Sequence, residues 1–559
     1  CDVLAYVSCR GYVGIPLSAH PEDANTRWHR GFLFVLDRNN LFSVGAFFYV
    51  SQQEITRRKR RENMEFRPSI DEVRAIADKA DATGYRYVPV SCEILSDFTT
   101  PINVLQILKN NSEHAYMLES VEDSKKWGRY TFLGYEPTAE ITCIDGELTV
   151  RDCDGEEKVS MTEKPGEVLR GIISEHKSPR FDYLPTFTGG LVGYFAYDYI
   201  KYSEPSLRLD AQDEEKFRDC DLMLFDKVIA FDNLKQKIVL IANIALDMVQ
   251  ENYDRAKRDL EAMAGLIRFS KPEGDRPGRL TSEIKPLFDK DEFCSMVEQA
   301  KRHIREGDIF QIVLSNRLSA DYEGSMLNVY RILRTLNPSP YMFYFSGTDV
   351  EVAGASPETL VKLTDGKLYT FPLAGTRPRG KTPQEDAELE KGLLQDPKEL
   401  AEHNMLVDLG RNDIGRLSEF GSVEVEKYHE IQRFSHVMHI GSTVSGRIRA
   451  DKDAIDAIDS VLPAGTLSGA PKIRACQLIN DLEGNKRGIY GGAIGYIDFA
   501  GNLDTCIAIR IAYKKNNRIF IRSGAGIVAD SVPETEYQEC INKAAAVIKA
   551  IEGAQDAQI

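Results

Sequence analysis

Two carboxylates in the second half of the sequence, Glu402 and Glu539, stand where a hard cation could use them. In Asp396-Pro397-Lys398-Glu399-Leu400-Ala401-Glu402, Asp396 can cap a helix, Pro397 suits its first turn and Glu399 completes a capping box. Glu399 therefore has a structural task, whereas Glu402, one turn on, has none. Glu539 lies at the start of a second helical segment whose Ile541, Ala544, Ala545, Ile548 and Ile551 form an apolar stripe. Mg²⁺ takes one or two protein carboxylates and leaves its other positions to water and an anionic substrate. Solvated helix acids have the same spacing, so this pattern admits both readings.

An arginine and a histidine add binding and proton transfer. Asp504 to Tyr513 alternates like a strand, with Ile507, Ile509 and Ile511 inward. Arg510 then shares the other face with Cys506, Ala508 and Ala512, small residues that leave room for a carboxylate beside its planar fork; a surface salt bridge is the alternative. Asn516-Asn517 reads as a turn returning the chain to Ser523-Gly524-Ala525-Gly526-Ile527, a Gly-rich turn whose backbone N–H groups can approach an anion. His439 alternates with Met438 and Ile440, as a satisfied core histidine or as a proton carrier near neutral pH.

The elements that must position these groups follow an α+β pattern. A capping box at Ser69–Glu72 opens a helix, and strand-like runs follow at Ala115–Glu119, Tyr130–Leu133, Ala139–Thr142 and Gly190–Phe195. A helix from about Ala245 to Ile267 leads to a polar Pro/Gly-rich stretch. The expected organisation is an N-terminal domain over 64–270, a linker at 271–284 and a catalytic domain over 285–559. Strands do not alternate regularly with helices, so the expected fold is stacked, largely antiparallel β-sheets flanked by helices rather than a doubly wound parallel sheet.

Composition narrows the ligand. With 86 Asp/Glu against 70 Lys/Arg the formal charge is −16, which argues against nucleic acid and anionic membrane surfaces. No apolar run approaches the roughly 20 residues of a bilayer span. Ten cysteines lie scattered without a C-x-x-C pair, as expected for a reducing cytoplasm, and no disulfide is expected. The first methionine, Met64, follows Arg57-Arg58-Lys59-Arg60-Arg61-Glu62-Asn63, a run writable largely in purine codons. Residues 1–63 are read as upstream DNA translated in frame and expected to be disordered, with a native start at Met64; a basic targeting arm is the alternative.

Taken together, Ala355-Ser356-Pro357-Glu358, Pro372-Leu373-Ala374-Gly375-Thr376-Arg377-Pro378-Arg379-Gly380, Glu402-His403 through Leu409-Gly410-Arg411-Asn412-Asp413 and Ser523-Gly524-Ala525-Gly526-Ile527-Val528 resemble the ordered blocks of chorismate-utilising enzymes. The resemblance runs from Met64 to the C-terminus. It implies that Glu402 and Glu539 bind Mg²⁺, that Tyr490 and Arg510 face the enolpyruvyl carboxylate of chorismate, and that Gly375, Thr376 and Gly524-Ala525-Gly526 complete the cradle, which Thr466 lines. It further implies Glu358 as the general acid for loss of the C4 hydroxyl and His439 as the base that removes the C2 proton.

Within that family the chain is most similar to large subunits of anthranilate synthases. Relatives that add water at C2 carry a lysine where this chain has Gln311, and relatives that form 4-amino-4-deoxychorismate carry one where it has Ala374. Met117-Leu118-Glu119-Ser120 and Asn337-Pro338-Ser339-Pro340-Tyr341-Met342 resemble the family's tryptophan site, which implies feedback inhibition through Ser120, Asn337, Pro340, Tyr341 and Met342. Read alone, these would be a strand end and an ordinary turn. No Gly-x-Cys-x-Gly elbow is present, so ammonia from glutamine must come from another chain; the resemblance implies a glutamine amidotransferase subunit, expected in a heterotetramer.

Overall fold

The computed structural model describes residues 64–120, 128–272, 276–433 and 437–556, together with the strands Leu33–Leu36 and Phe42–Gly45. Those two strands pair antiparallel with each other. The disorder expected for 1–63 otherwise concerns residues outside the described ones. Contacts group Phe66–Ile559 into one compact unit, separate from Cys1–Glu65.

Two large sheets make up this unit, one of 12 and one of 13 strands, with antiparallel pairing at every ladder described. Sequence patterning explains why they stack. In Gly190–Phe195, Leu191 and Phe195 enter a core shared with helices, while Val192 and Tyr194 enter the core between the sheets. A strand apolar on both faces must be covered on both. The inter-sheet core joins Tyr116, Phe343, Val352 and Ile511 of one sheet to Tyr194, Ile494 and Cys506 of the other. Outside it, Val407 and Ile414 of the helix Pro397–Gly415 and Ile455 of Ala454–Val461 cover the 12-stranded sheet. Phe293 of the helix Lys290–Glu306 and Cys540 of Pro533–Asp556 cover the 13-stranded one, beside Ala525 and Ile527.

The division at 271–284 does not separate two domains. The 12-stranded sheet places Gly190–Phe195 beside Ala493–Asp498, and the 13-stranded sheet places Ala115–Glu119 beside Tyr341–Ser346. Each half alone would leave long unpaired strand edges, so the two halves close one another's sheets. Residues 273–275 of the expected linker lie outside the described ones.

Local expectations fare well where capping or alternation is strong. The capping box at Ser69 is formed, and Ala115–Glu119 and Gly190–Phe195 are strands with the expected bounds. The helix expected from Ala245 begins instead at Val249, because Ala245 ends the strand Lys237–Ala245. The run Asp504–Tyr513 is not one strand: Leu503–Ile507 belongs to the 12-stranded sheet and Ile511–Lys515 to the other. The cysteines among the described residues are free, as expected. Among the described residues, no helix is long and apolar enough to cross a membrane.

Candidate active site

Two adjacent chain segments cross between the sheets, and each delivers a functional side chain at its crossing. One runs from Glu351–Ser356 to Thr359–Thr364 through Glu358; the other from Leu503–Ile507 to Ile511–Lys515 through Arg510. They are laced together. The amide of Ile507 donates to the Glu358 carbonyl at 3.0 Å, the amide of Ala355 to the Arg510 carbonyl at 3.2 Å, and the Ser356 hydroxyl to the Ile507 carbonyl at 2.7 Å. Arg510 takes a left-handed backbone conformation with φ of 52°. For a non-glycine residue that stores roughly 1–3 kcal/mol and clusters at functional sites. This crossing replaces the expected continuous strand, so Ile507 and Ile511 fill different cores and Ile509 is only partly buried.

The Glu358 carboxyl is pushed up to about 7 by removal from water, against the opposing pull of a 3.2 Å hydrogen bond from Thr466 Oγ1 and the charges of Arg510 and Lys543. A carboxyl of that kind can deliver a proton near neutral pH. Burial lowers the pKa of Arg510, and the neighbouring Glu358 opposes that effect.

His439 faces the site from the strand Val437–Arg447, between the fully buried Met438 and Ile440, which matches the alternation of the sequence. Its Nδ1 lies 2.9 Å from the Gly375 carbonyl and 3.1 Å from Thr376 Oγ1. Donation from Nδ1 to the carbonyl places the imidazole lone pair on Nε2. Burial lowers the His439 pKa, so the neutral, basic form prevails at neutral pH. Gly375 has φ of 68° at a register shift in the ladder between Leu373–Pro378 and Val437–Arg447, a conformation suited to glycine.

Glu402 is exposed on the helix Pro397–Gly415 and lies within electrostatic reach of Glu539. Partial desolvation, then the charges of Glu399 and Glu539, raise its pKa. Asp396 caps this helix as expected, but Glu399 does not complete a capping box: its carboxylate receives Arg377 at 3.2 Å, and it flanks Gly375. The buried stripe of Pro533–Asp556 runs through Cys540, Ala544, Val547 and Ile551, rotated about one residue from expectation, which keeps Glu539 half-exposed beside it. Lys543 pairs with Glu539 at 2.6 Å and donates to the Gly524 carbonyl at 3.0 Å. The two carboxylates form an oxygen-only, mutually repelling pair that already attracts one cationic group, a donor set suited to Mg²⁺.

The glycines 524 and 526 lie within the strand Arg518–Ile527, paired with Ser315 and Val313, and not in a turn. The turn is the expected Asn516-Asn517, both at positive φ. Ala525 packs into the core, leaving the two glycines on the opposite face. A β-carbon at Gly524 would come within 3.0 Å of the Tyr490 hydroxyl, and one at Gly526 within 3.2 Å of Gln311 Nε2. Tyr490 is buried and its phenol pKa is raised by desolvation.

The inhibitor-site residues form a second group. Met342 pairs with Glu119, next to Ser120, so the two blocks are joined in one ladder. Asn337 donates to the Ser339 hydroxyl at 3.2 Å, and Pro340 and Met342 are buried. The Tyr341 hydroxyl meets Asp504 at 2.8 Å and Thr359 at 3.0 Å, one residue from Glu358. Pro340 and Tyr341 also line a cavity of about 770 Å³, together with Pro357 and Thr359.

Sequence reasoning did not find Lys543 or a buried cluster of Glu483, Arg487 and Arg522. Residues of these types usually face solvent, so their sequence positions carry no distinguishing signal.

The scaffold gathers a near-neutral carboxyl, a neutral imidazole, a partly buried arginine and a glycine-lined strand, groups able to move protons and to hold an anion. Residues 113–549 match the family described as chorismate binding enzyme. The chain is 44% identical over 503 residues to anthranilate synthase component 1 of Acetivibrio thermocellus, covering 88% of this chain and 99% of that protein. The crystal structure of anthranilate synthase component I from Streptococcus pneumoniae TIGR4 superposes with a TM-score of 0.67 at 38% identity, covering 81% of this chain and 98% of that one. The menaquinone-specific isochorismate synthase of Escherichia coli shares the fold, with a TM-score of 0.61 at 19% identity over 85% of this chain and 98% of that one. The chain belongs to the chorismate binding enzymes and, among them, to the anthranilate synthase component I family.

Proposed function

We propose that this chain is the large subunit of an anthranilate synthase, a lyase that converts chorismate and ammonia to anthranilate and pyruvate. The observation that carries the reading is Glu358: a carboxyl of pKa about 7, held by Thr466 at 3.2 Å on a crossover laced to that of Arg510.

Arg510 and Tyr490 hold the enolpyruvyl carboxylate, and the Cβ-free face of Gly524 and Gly526 admits the ring. Glu358 gives its proton to the C4 hydroxyl, which leaves as water while ammonia bonds to C2. Ammonia needs no lysine base, and Gln311 stands beside Gly526. His439 Nε2 then takes the C2 proton, the bond from ring C3 to the enolpyruvyl oxygen breaks as the ring becomes aromatic, and the departing enolpyruvate takes up a proton to become pyruvate. Glu402 and Glu539 would hold Mg²⁺. When bound, the ion neutralises the ring carboxylate and orients the ring.

Ammonia is supplied by a glutamine amidotransferase subunit, in an assembly of two copies of each chain in the cytoplasm. Tryptophan binds at Ser120, Asn337, Pro340, Tyr341 and Met342 and opposes chorismate binding, a coupling that must be reciprocal. The reading is tested by incubating the purified chain with chorismate, Mg²⁺ and ¹⁵N-ammonium. Anthranilate carrying ¹⁵N, with equimolar pyruvate, supports it; isochorismate or salicylate refutes it.

A further inference from the structure

Behind the cradle lies a cluster of three charged residues that the acid–base chemistry does not use. Glu483, Arg487 and Arg522 are each at most 2% exposed. Glu483 accepts from Arg487 Nε at 3.0 Å, from Arg522 at 3.0 Å, and from the amide and hydroxyl of Ser315 at 2.8 and 3.0 Å. Burying an ion pair and a further cation is costly, and apolar residues of like volume commonly give equal or better stability. Stability alone therefore gives a weak reason for the cluster.

Arg487 reaches three walls of the cradle at once. It donates to the Leu467 carbonyl at 2.5 Å, in the turn Gly465–Leu467 that carries Thr466. It donates to the Val313 carbonyl at 2.6 Å, on the strand whose Val313 pairs with Gly526. Its guanidinium also lies 5.9 Å from the centre of the Tyr490 ring, with Tyr197 at 4.7 Å. A planar fork with five donors can hold two backbone segments and a carboxylate in fixed relative positions, which a lysine cannot. Arg522 serves the same carboxylate from the strand of Gly524 and Gly526 and bonds Ser315, Asn485 and the Lys486 carbonyl, so it touches the glycine wall alone and bonds neither Leu467 nor Val313.

We infer that Arg487 is a positioning residue for chorismate: through its bonds to Leu467 and Val313 and its contact with Tyr490, it sets the spacing between Thr466, Tyr490 and the Gly524/Gly526 face. Glu483 orients its fork. The inference rests on the reading that these three walls hold chorismate.

The test compares Arg487→Lys with Arg522→Lys in chorismate affinity by calorimetry, in KM against kcat with ammonia, and in thermal unfolding. Both variants disturb the cluster and lose stability. Arg487→Lys is expected to weaken chorismate binding roughly 10- to 100-fold, the worth of one charged hydrogen bond, and to lower kcat as well, since Thr466 holds Glu358. Arg522→Lys, which leaves the bonds to Leu467 and Val313 in place, is expected to change the affinity far less than Arg487→Lys does. Equal changes in both variants, or unchanged affinity in Arg487→Lys, overturn the inference. If Arg487→Lys does not fold, the variant Glu483→Met, Arg487→Met, Arg522→Met replaces the whole cluster with apolar volume; parent-like chorismate affinity in that protein also overturns it. Should the parent chain bind chorismate without forming anthranilate, the functional reading fails while the affinity comparison still stands.

Discussion

The amide of Ile507 donates to the carbonyl of Glu358 at 3.0 Å, tying the proposed acid to the crossover that carries Arg510. The proposed proton donor and the proposed carboxylate anchor are thus held on one hydrogen-bonded pair of crossovers. Because each sits where the chain changes sheets, both open into the cleft while their flanking strands stay buried.

If Glu358 is the proposed acid, its pKa should set the alkaline limb of activity. At a fixed concentration of free ammonia, kcat/KM should fall as pH rises through about 7, where the free enzyme's Glu358 loses its proton. His439, lowered by burial, should set the acidic limb below the usual imidazole range. Glu358→Gln should lose about 10²- to 10⁴-fold in kcat and lose the alkaline limb with it. A pH–rate profile of that variant that keeps the limb at 7 assigns it to another group.

Glu402→Gln should leave the fold intact, since the side chain is exposed, while raising the Mg²⁺ concentration for half-maximal activity. Groups that merely support a metal ligand are worth about 10- to 100-fold in affinity, so loss of a ligand should cost at least about tenfold. Calorimetric Mg²⁺ titration of both proteins gives the answer directly.

Gly375→Ala tests the backbone that anchors His439. At φ of 68° an alanine is strained, and its β-carbon would come within 3.0 Å of Glu399 Oε2 and Leu393 Cδ1. Thermal denaturation should show a loss of about 1–3 kcal/mol, and turnover should fall because the Gly375 carbonyl orients Nδ1.

Ser120→Ala should raise the tryptophan concentration for half-inhibition roughly five- to tenfold, one hydrogen bond's worth, with turnover near the parent value. Equal sensitivity in both proteins would place the inhibitor elsewhere.

Much of this site is legible before any coordinates. Alternation around His439 predicts buried Met438 and Ile440, and Asp396-Pro397 predicts a helix start, because these signals are local. The crossing at Arg510 is not legible: Asp504–Tyr513 alternates well enough to read as one strand, and only pairing with Thr359–Thr364 and Glu351–Ser356 divides it between sheets. For the same reason a Pro/Gly-rich stretch near residue 275 suggests a domain boundary that strand pairing across both sheets overrides. Glu399 satisfies the capping-box spacing, yet Arg377, brought in by the ladder at His439, offers it a charged partner instead. Buried Arg487 lies beyond local reasoning altogether.

The most direct test of the central claim is anthranilate fluorescence from the purified chain supplied with chorismate, Mg²⁺ and ammonium salt, with and without tryptophan. The account predicts a rising signal that requires all three components and that tryptophan suppresses. Chorismate consumed without fluorescence, or left intact under these conditions, would contradict it.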